Sequence, residues 1–363
     1  MQRVNQKEPE GYMAEPGHRE PAGGSAPTLQ DVARAAGVSR QTVSNVLHAP
    51  ERVRPATRER VVEFISRLGY QPNRQAQALA RSASHMIGYR IRPLAPGALT
   101  SIHDRFLHAL AEAGRAADHH LLLFAAEDES AELDSAGRLH RGGAADAFVL
   151  YDLTADDRRP RALLDMGVPF VAFGRTDTGA DAYPWIDVDN VLGTRLAVDH
   201  LVNRGHRRIA FLGWPDGRTI GDRRARGWHQ AVDSHRLAST CGVLDVRSED
   251  SVQAAVQVTF RLLEHAEPPT AIVTATDTLA VGAMQAAQRW GLEVGRDLAV
   301  VGFDDTPTAA ALELSSIRQP IELVGRRVVA ALLGTGEEGP GQQLLEPQLV
   351  IRASSARPAG PRR

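Results

Sequence analysis

The sequence predicts a small all-α head in front of a larger α/β body whose two lobes are parallel, doubly wound sheets. Three observations carry this. A basic segment after residue 27 has a helical apolar period in short pieces. From Met86 onward short apolar runs alternate with helical stretches. At 363 residues the chain is too long for one ordinary core. A composition of 43% hydrophobic and 24% charged residues is that of a soluble globular protein.

Residues 1–27, "MQRVNQKEPEGYMAEPGHREPAGGSAP", are rich in Pro, Gly, Glu and Gln and lack the apolar core of a signal peptide. They read as a disordered tail, as do residues 354–363. No apolar run approaches the roughly eighteen residues a membrane helix needs. Cys241 is the only cysteine, which excludes an internal disulfide and a cysteine-cluster metal site. The cytoplasm, in company with the nucleoid, is the expected location.

The head spans residues 28–73. Thr28 is a natural N-cap with Asp31 three residues on, and "LQDVARAAG" ends at Gly37, a good C-terminal stop. Ser39 caps a second helix, "RQTVSNVLH", with Val38, Val43, Val46 and Leu47 as its apolar stripe. A loop, "APERVRP", leads to a third helix over 56–68. Two helices joined by a tight Gly turn and braced by a third make a helix-turn-helix. Between Thr28 and Arg81 nine arginines face four acids, a net +5 in a chain whose total is −2. A basic module on an acidic body is expected where one end alone meets a polyanion. Lys7, the only lysine, reflects composition bias.

In this motif the start of the second helix reaches base edges. Arg40 and Gln41 hold those positions, with Asn45 one turn on. Arg bonds the two guanine acceptors, and Gln or Asn pairs with adenine's donor and acceptor. Thr42, Ser44, Thr57 and Arg58 suit phosphates, and the interface also takes in Thr28, Ser39, Arg54, Tyr70 and Asn73.

The body covers residues 86–353. Its apolar runs are "MIGYRI", "HLLLF", "AFVLYD", "PFVAFG", "WIDV", "RIAFLG", "GVLDV", "AIVTATD" and "LAVVGFDD". Helical stretches at 106–117, 193–204, 252–265 and 279–290 lie between them. About ten strands are too many for one core, so two lobes are expected, the first over about 86–187 and 320–335, the second over about 188–317 and 344–353. Ligands of open parallel sheets sit beyond the carboxyl ends of the strands. That rule selects Asp277, Asp304, Asp305 and the Gly174–Arg175 pair. Any one carboxylate there could instead cap a helix, but Asp/Arg sets bond paired hydroxyls and suit sugars. Arg90, inside the first strand, either pairs with an acid or faces a dimer interface. Thr100 and Asp104 are further candidates.

The motifs T-L-x-D-V-A, A-G-V-S-x-x-T-V-S, T-R-x-x-V, L-G-Y-x-P-N and A-x-x-L-A follow one another between residues 28 and 82. With them the head resembles that of the LacI/GalR family of bacterial transcription regulators. "VPFVAFGRT", "IDVDN", "HLVNRGHRRIAFLG", "RRARGW", "ATDTLAVGAMQA", "AVVGFDD" and "SIRQP" extend the resemblance over nearly the whole chain after the tail. The family commonly has Arg where this chain has Asn45 and Asn where it has His48, which hints at a modified base preference.

The resemblance implies a homodimer that binds operator DNA through two recognition helices in successive major grooves. It implies a hinge helix over 74–85, too short to be stable alone, in which Ala76 and Ala80 admit the partner helix. Leu79 would wedge into the minor groove. It further implies a body similar to periplasmic sugar-binding proteins. Arg224 and Asp277 fall on the family's effector positions, and Asp304 on its strand-end acid. The stacking aromatic often found near residues 245–252 has no counterpart in "DVRSEDSV", so stacking falls to Phe173, Trp185 or Trp214, or is absent.

Walker, G-x-S-x-G, H-E-x-x-H and dinucleotide motifs are missing. His119, His120 and His140 have no carboxylate or cysteine at ligand spacing, and "DVDN" lacks the rest of an EF-hand. No enzyme activity, metal or cofactor is expected. The function expected is a repressor released from its operator by a sugar. The alternatives are corepression and a sugar or nucleobase sensor that does not bind DNA.

Overall fold

The computed structural model describes residues 27–70, 83–91, 102–176, 183–237, 244–335 and 341–355. They divide into two units, a head and a body, at Ala80–Arg81.

The head contains α1 (Leu29–Ala36), α2 (Arg40–His48) and α3 (Pro55–Leu68), with a 3₁₀ turn at Pro50–Arg52. Local chemistry sets each boundary. Thr28 and Asp31 form a reciprocal capping box, and Gly37 adopts φ 64° to close α1. The Ser39 hydroxyl accepts from the Thr42 amide at 3.0 Å, Pro55 sits where its missing N–H costs nothing, and Gly69 ends α3 at φ 62°. Val32, Ala33, Ala36, Val43, Val46, Val61 and Tyr70 form the head's core.

In the body, six strands make the first sheet. They are β1 (Met86–Ile91), β2 (His120–Ala125), β3 (Ala147–Tyr151), β4 (Phe170–Phe173), β5 (Trp185–Val188) and β11 (Gln342–Leu345), in the order β11-β5-β4-β3-β1-β2, all parallel. The second sheet has the order β12-β10-β9-β8-β6-β7. Its strands are β6 (Ile209–Gly213), β7 (Asp245–Arg247), β8 (Ala271–Thr274), β9 (Ala299–Phe303), β10 (Ser315–Arg318) and β12 (Gln348–Val350). Only β12 runs antiparallel. Strands β3, β4, β5, β6, β8 and β9 are buried throughout, which is why they read as unbroken apolar runs. Edge strand β11 alternates exposed and half-buried residues.

Nine helices cover the described body: α4 (Ile102–Ala116), α5 (Glu129–Arg141), α6 (Arg159–Asp165), α7 (Asn190–Asn203), α8 (Thr219–Ser234), α9 (Val252–Leu263), α10 (Asp277–Arg289), α11 (Pro307–Ala311) and α12 (Ile321–Leu333). Helices α7 and α10 start earlier than their apolar residues indicate, because Asp189 and Thr276 cap them upstream. None of these helices is long and apolar enough to cross a membrane.

The chain passes between the lobes three times, from β5 into α7, from β10 into α12 and from β11 to β12. Strand β11 extends the first sheet to Leu345, two residues beyond where the sequence placed the return to the second lobe. Ser354 and Ser355, assigned from sequence to the tail, are instead buried. The Ser354 hydroxyl donates to the Val300 carbonyl at 2.6 Å, and that of Ser355 to Ser315 Oγ at 2.7 Å. Small hydroxyl side chains packed this way leave no hydrophobic signal. Residues 83–85, the described end of the expected hinge helix, are not helical. They are pinned to Asp146, which accepts from the Ser84 and His85 amides at 2.7 Å. Asn73, Ala76 and Leu79, with Thr100, lie outside the described residues.

Arg90 pairs with an acid. Its Nη1 donates to Glu132 Oε2 at 2.7 Å, and Arg159 Nη1 donates to the same oxygen at 2.7 Å. Asp157 holds Arg159 from the other side at 2.6 Å. All of these charges are buried, and each is paired and hydrogen-bonded, the condition under which buried ions are tolerated.

Candidate functional site

On the head, the residues expected to read bases lie along one edge of α2. Arg40 and Gln41 are exposed, and Thr42, Ser44 and Asn45 are half-buried. Gln41 Nε2 donates to Asn45 Oδ1 at 2.9 Å, so the two amides stand as one unit one turn apart. Arg40 forms no ion pair among the described residues. Arg54 and Arg58 are exposed, with Thr57 half-buried beside them. Three expected contacts are engaged within the head. Thr28 and Ser39 spend their hydroxyls on capping, and Tyr70 is buried in the core.

On the body, the carboxyl ends of the second lobe's strands carry a charged floor. Arg224 projects from α8. Its Nε donates to Asn190 Oδ1 at 2.8 Å, Nη1 to the Ala275 carbonyl, and Nη2 meets Asp304 Oδ1 at 3.5 Å. Its guanidinium lies 3.6 Å from the centre of the Phe303 ring and 5.7 Å from that of Trp214, the geometry of a cation on an aromatic face. Gln319 Nε2 donates to the same Asp304 oxygen at 2.7 Å. Asp304 has φ 108° and Asp305 φ 48°. Non-glycine residues in such conformations each cost about 1–3 kcal/mol and persist where the surroundings over-determine them. Here Asp304 N bonds to the Ile317 carbonyl at 2.8 Å, while Arg318 and Arg352 grip the Asp305 carboxylate at 2.6 and 2.7 Å.

Asp277 is turned inward. Its Oδ1 accepts from the Ser316 hydroxyl at 2.6 Å and its Oδ2 from the Thr306 amide at 2.7 Å. Gly302 makes room for this, since a Cβ there would lie 2.3 Å from Asp277 Oδ1. The residue before it, Thr276, donates its hydroxyl to Asp250 Oδ1 at 2.6 Å, and the Asp250 charge reaches both Arg224 and Asp304.

The first lobe contributes differently. Arg175 lies 4.9 Å over the Trp185 ring and donates to Asp187 Oδ2 at 3.2 Å. Phe173 is a core residue, 4.6 Å from Phe106 between ring centres. Tyr89 within β1 and Tyr151 at the end of β3 stack at 5.0 Å, and His103 lies 4.9 Å from Tyr151. Arg105 of α4 reaches the backbone carbonyls of Asp304 and Asp305 at 3.3 and 3.4 Å and Glu322 at 2.8 Å. Asp104 is exposed. The sequence reading missed Arg223, Asp187, Asn190, Gln319 and Arg105. A signal existed for four of them, since Asp187 and Asn190 stand within the "IDVDN" stretch, Arg223 within "RRARGW" and Gln319 within "SIRQP".

Burial dominates the titration of this floor. It pushes Asp304 up to about 7 against the opposing pull of Arg224, and Asp277 up to about 6. Asp187 is raised for the same reason. An acid raised on folding takes up protons. Its stabilising contribution is full below the unfolded value of 3.8 and is lost as pH climbs through the folded one. Asp304→Asn should therefore remove a fall in stability between pH 4 and 7, on the order of a few kcal/mol at full titration. His206, pushed down to about 4 by burial, gives the opposite slope below 6.5, so the parent-minus-variant difference isolates Asp304. Calorimetric melts from pH 5 to 8 read it, and parallel curves for parent and variant would refute it.

A model of bacterial regulatory proteins of the lacI family matches residues 28–73, and a periplasmic binding protein-like domain matches residues 198–355. The HTH-type transcriptional regulator AglR of Rhizobium meliloti (strain 1021) is 33% identical over 338 residues, covering 90% of this chain and 94% of that protein. The crystal structure of the lac repressor dimer bound to operator and the anti-inducer ONPF matches with a TM-score of 0.77 at 30% identity, over 91% of this chain and 99% of that one. The transcriptional regulator CelR–cellobiose complex matches with a TM-score of 0.64 at 29% identity, over 90% and 99%.

Proposed function

The chain belongs to the lacI family of bacterial regulatory proteins, and from that membership we propose that it is a homodimeric transcriptional repressor released from operator DNA by a sugar. The observation that carries the proposal is one chain holding both an α2 edge with Arg40 and Gln41 exposed beside half-buried Asn45 and a buried Arg224–Asp304 floor at the strand ends of a two-lobed body. The relatives support it: one is held by operator DNA together with a small anti-inducer, and another binds cellobiose.

On this reading Arg40 bonds guanine and the Gln41–Asn45 pair meets adenine, with Thr42, Ser44, Arg54, Thr57 and Arg58 on phosphates. Leu79 wedges the minor groove. In the cleft, Asp304 accepts from paired sugar hydroxyls and Arg224 donates to their neighbours. Trp214, against Arg224, is the stacking face, while Arg175 and Trp185 border the first-lobe side. Asp277 acts through the floor's geometry by fixing β9, β10 and α11. The sugar favours one lobe arrangement and DNA the other, so each weakens the other reciprocally. The protein works in the cytoplasm on nucleoid DNA, and the reading assigns the cleft no reaction and no cofactor.

Two measurements test this. A gel shift against the DNA upstream of its own gene should show a sequence-specific complex, and thermal shift against a panel of mono- and disaccharides should find a stabilising sugar. That sugar should dissolve the complex. A sugar that tightens it marks corepression instead. Absence of any specific DNA complex overturns the proposal.

A further inference from the structure

Arg223 and Arg224 are neighbours on α8, yet they bond to different lobes. Arg224 belongs to the floor of the second lobe. Arg223 crosses to the first. Its Nη1 donates to Asp187 Oδ2 at 2.7 Å, and its Nη2 to the backbone carbonyls of Arg175 at 3.1 Å and Thr176 at 3.0 Å. Asp187 stands on β5 immediately before the first passage between lobes, and its Oδ1 accepts from the Val188 amide at 2.8 Å. Arg223 and Asp187 are each 97–98% buried. One side chain of the second lobe is thus seated in a socket of three acceptors on the first.

Such bonds survive little displacement, since a donor–acceptor separation beyond about 3.5 Å no longer counts as one. A lobe rotation that carried α8 an ångström or so from β5 would break all three together. A helix is also stiff over consecutive residues, so Arg223 cannot leave its socket without disturbing Arg224.

We propose that Arg223 and its Asp187 socket are an interlobe latch that selects the present lobe arrangement and couples it, through α8, to occupancy of the Arg224–Asp304 floor. The proposal rests on the sugar-released repressor reading above. Neither residue need touch sugar or DNA; Arg223 is a positioning residue.

The test uses the full-length dimer with Arg223→Met, which abolishes the latch, and Arg223→Lys, which keeps a cation opposite Asp187 but loses the carbonyl bonds. Operator affinity is read by fluorescence anisotropy on the upstream DNA fragment, and sugar affinity by calorimetry with cellobiose and maltose as probes. Arg223→Met should move the DNA and sugar dissociation constants in opposite senses by about fivefold or more, the ordinary size of a coupling between sites. Arg223→Lys should fall between Met and parent, and it decides the matter if the Met variant does not fold. Both constants staying within about twofold of the parent, below the usual coupling range, overturns the latch. So does joint weakening of both in step with a lowered melting temperature. A parent that binds neither the DNA fragment nor either probe sugar brings down the underlying reading instead, an outcome distinct from these.

Discussion

Arg224→Met is expected to yield a protein that still occupies its operator but no longer lets go when sugar is added. Arg224 is 3% exposed and ties together Asn190, Ala275 and Asp304. Methionine nearly matches its volume but donates nothing, so Asn190 and Ala275 lose this donor and Asp304 keeps only that of Gln319 among the described residues. Hydrogen bonds from a charged group are worth about 1.5–3 kcal/mol each, and losing two of them to a sugar would weaken binding by roughly a hundredfold or more. Removing one partner of a buried ion pair also costs about 3–5 kcal/mol. Asp304, already pushed up to about 7, softens that cost by taking a proton. Calorimetric titration with the stabilising sugar and anisotropy on operator DNA separate the two effects. Sugar-driven release at near-parent concentrations would place the effector elsewhere. Arg224→Lys, with its charge but not its fork, should recover only part of the response.

The second large effect lies in the head. Arg40→Ala should lose about 1–3 kcal/mol of base discrimination in each half-site. Over a dimer's two half-sites that is roughly 30-fold to about 25,000-fold on the operator, with little change on random DNA. Equal losses on both DNAs would make Arg40 a phosphate contact. Asn45 sharpens the picture, because its carbonyl already accepts from Gln41. On the proposed reading the pair would offer the DNA an amide edge.

The head was legible residue by residue because its boundaries are local. Thr28, Gly37, Ser39 and Gly69 each act on their immediate neighbours. The body's class was legible from its apolar runs, but β10, β11 and β12 were not, being short and polar or exposed. Asp304 was singled out by its type and strand-end position and Arg224 by its motif position, and the structure brings these two side chains together. Which oxygen of Asp277 faces where depends on a missing Cβ at Gly302, a contact between residues 25 apart. Phe173 went to the core for a comparable reason. Alternation along β4 turns it toward Phe106 rather than toward the strand ends. That Arg223, next to Arg224, bonds to the opposite lobe is a long-range contact with no local signal.

The three passages between the lobes have a mechanical consequence. Two bodies joined by one strand can swivel, slide and twist, whereas each further connection restrains shear and torsion. The relative motion of these lobes, joined three times, is thereby narrowed towards bending. Substitutions at Arg223 and Arg224, which both sit on α8, are therefore expected to bear on the same restrained motion.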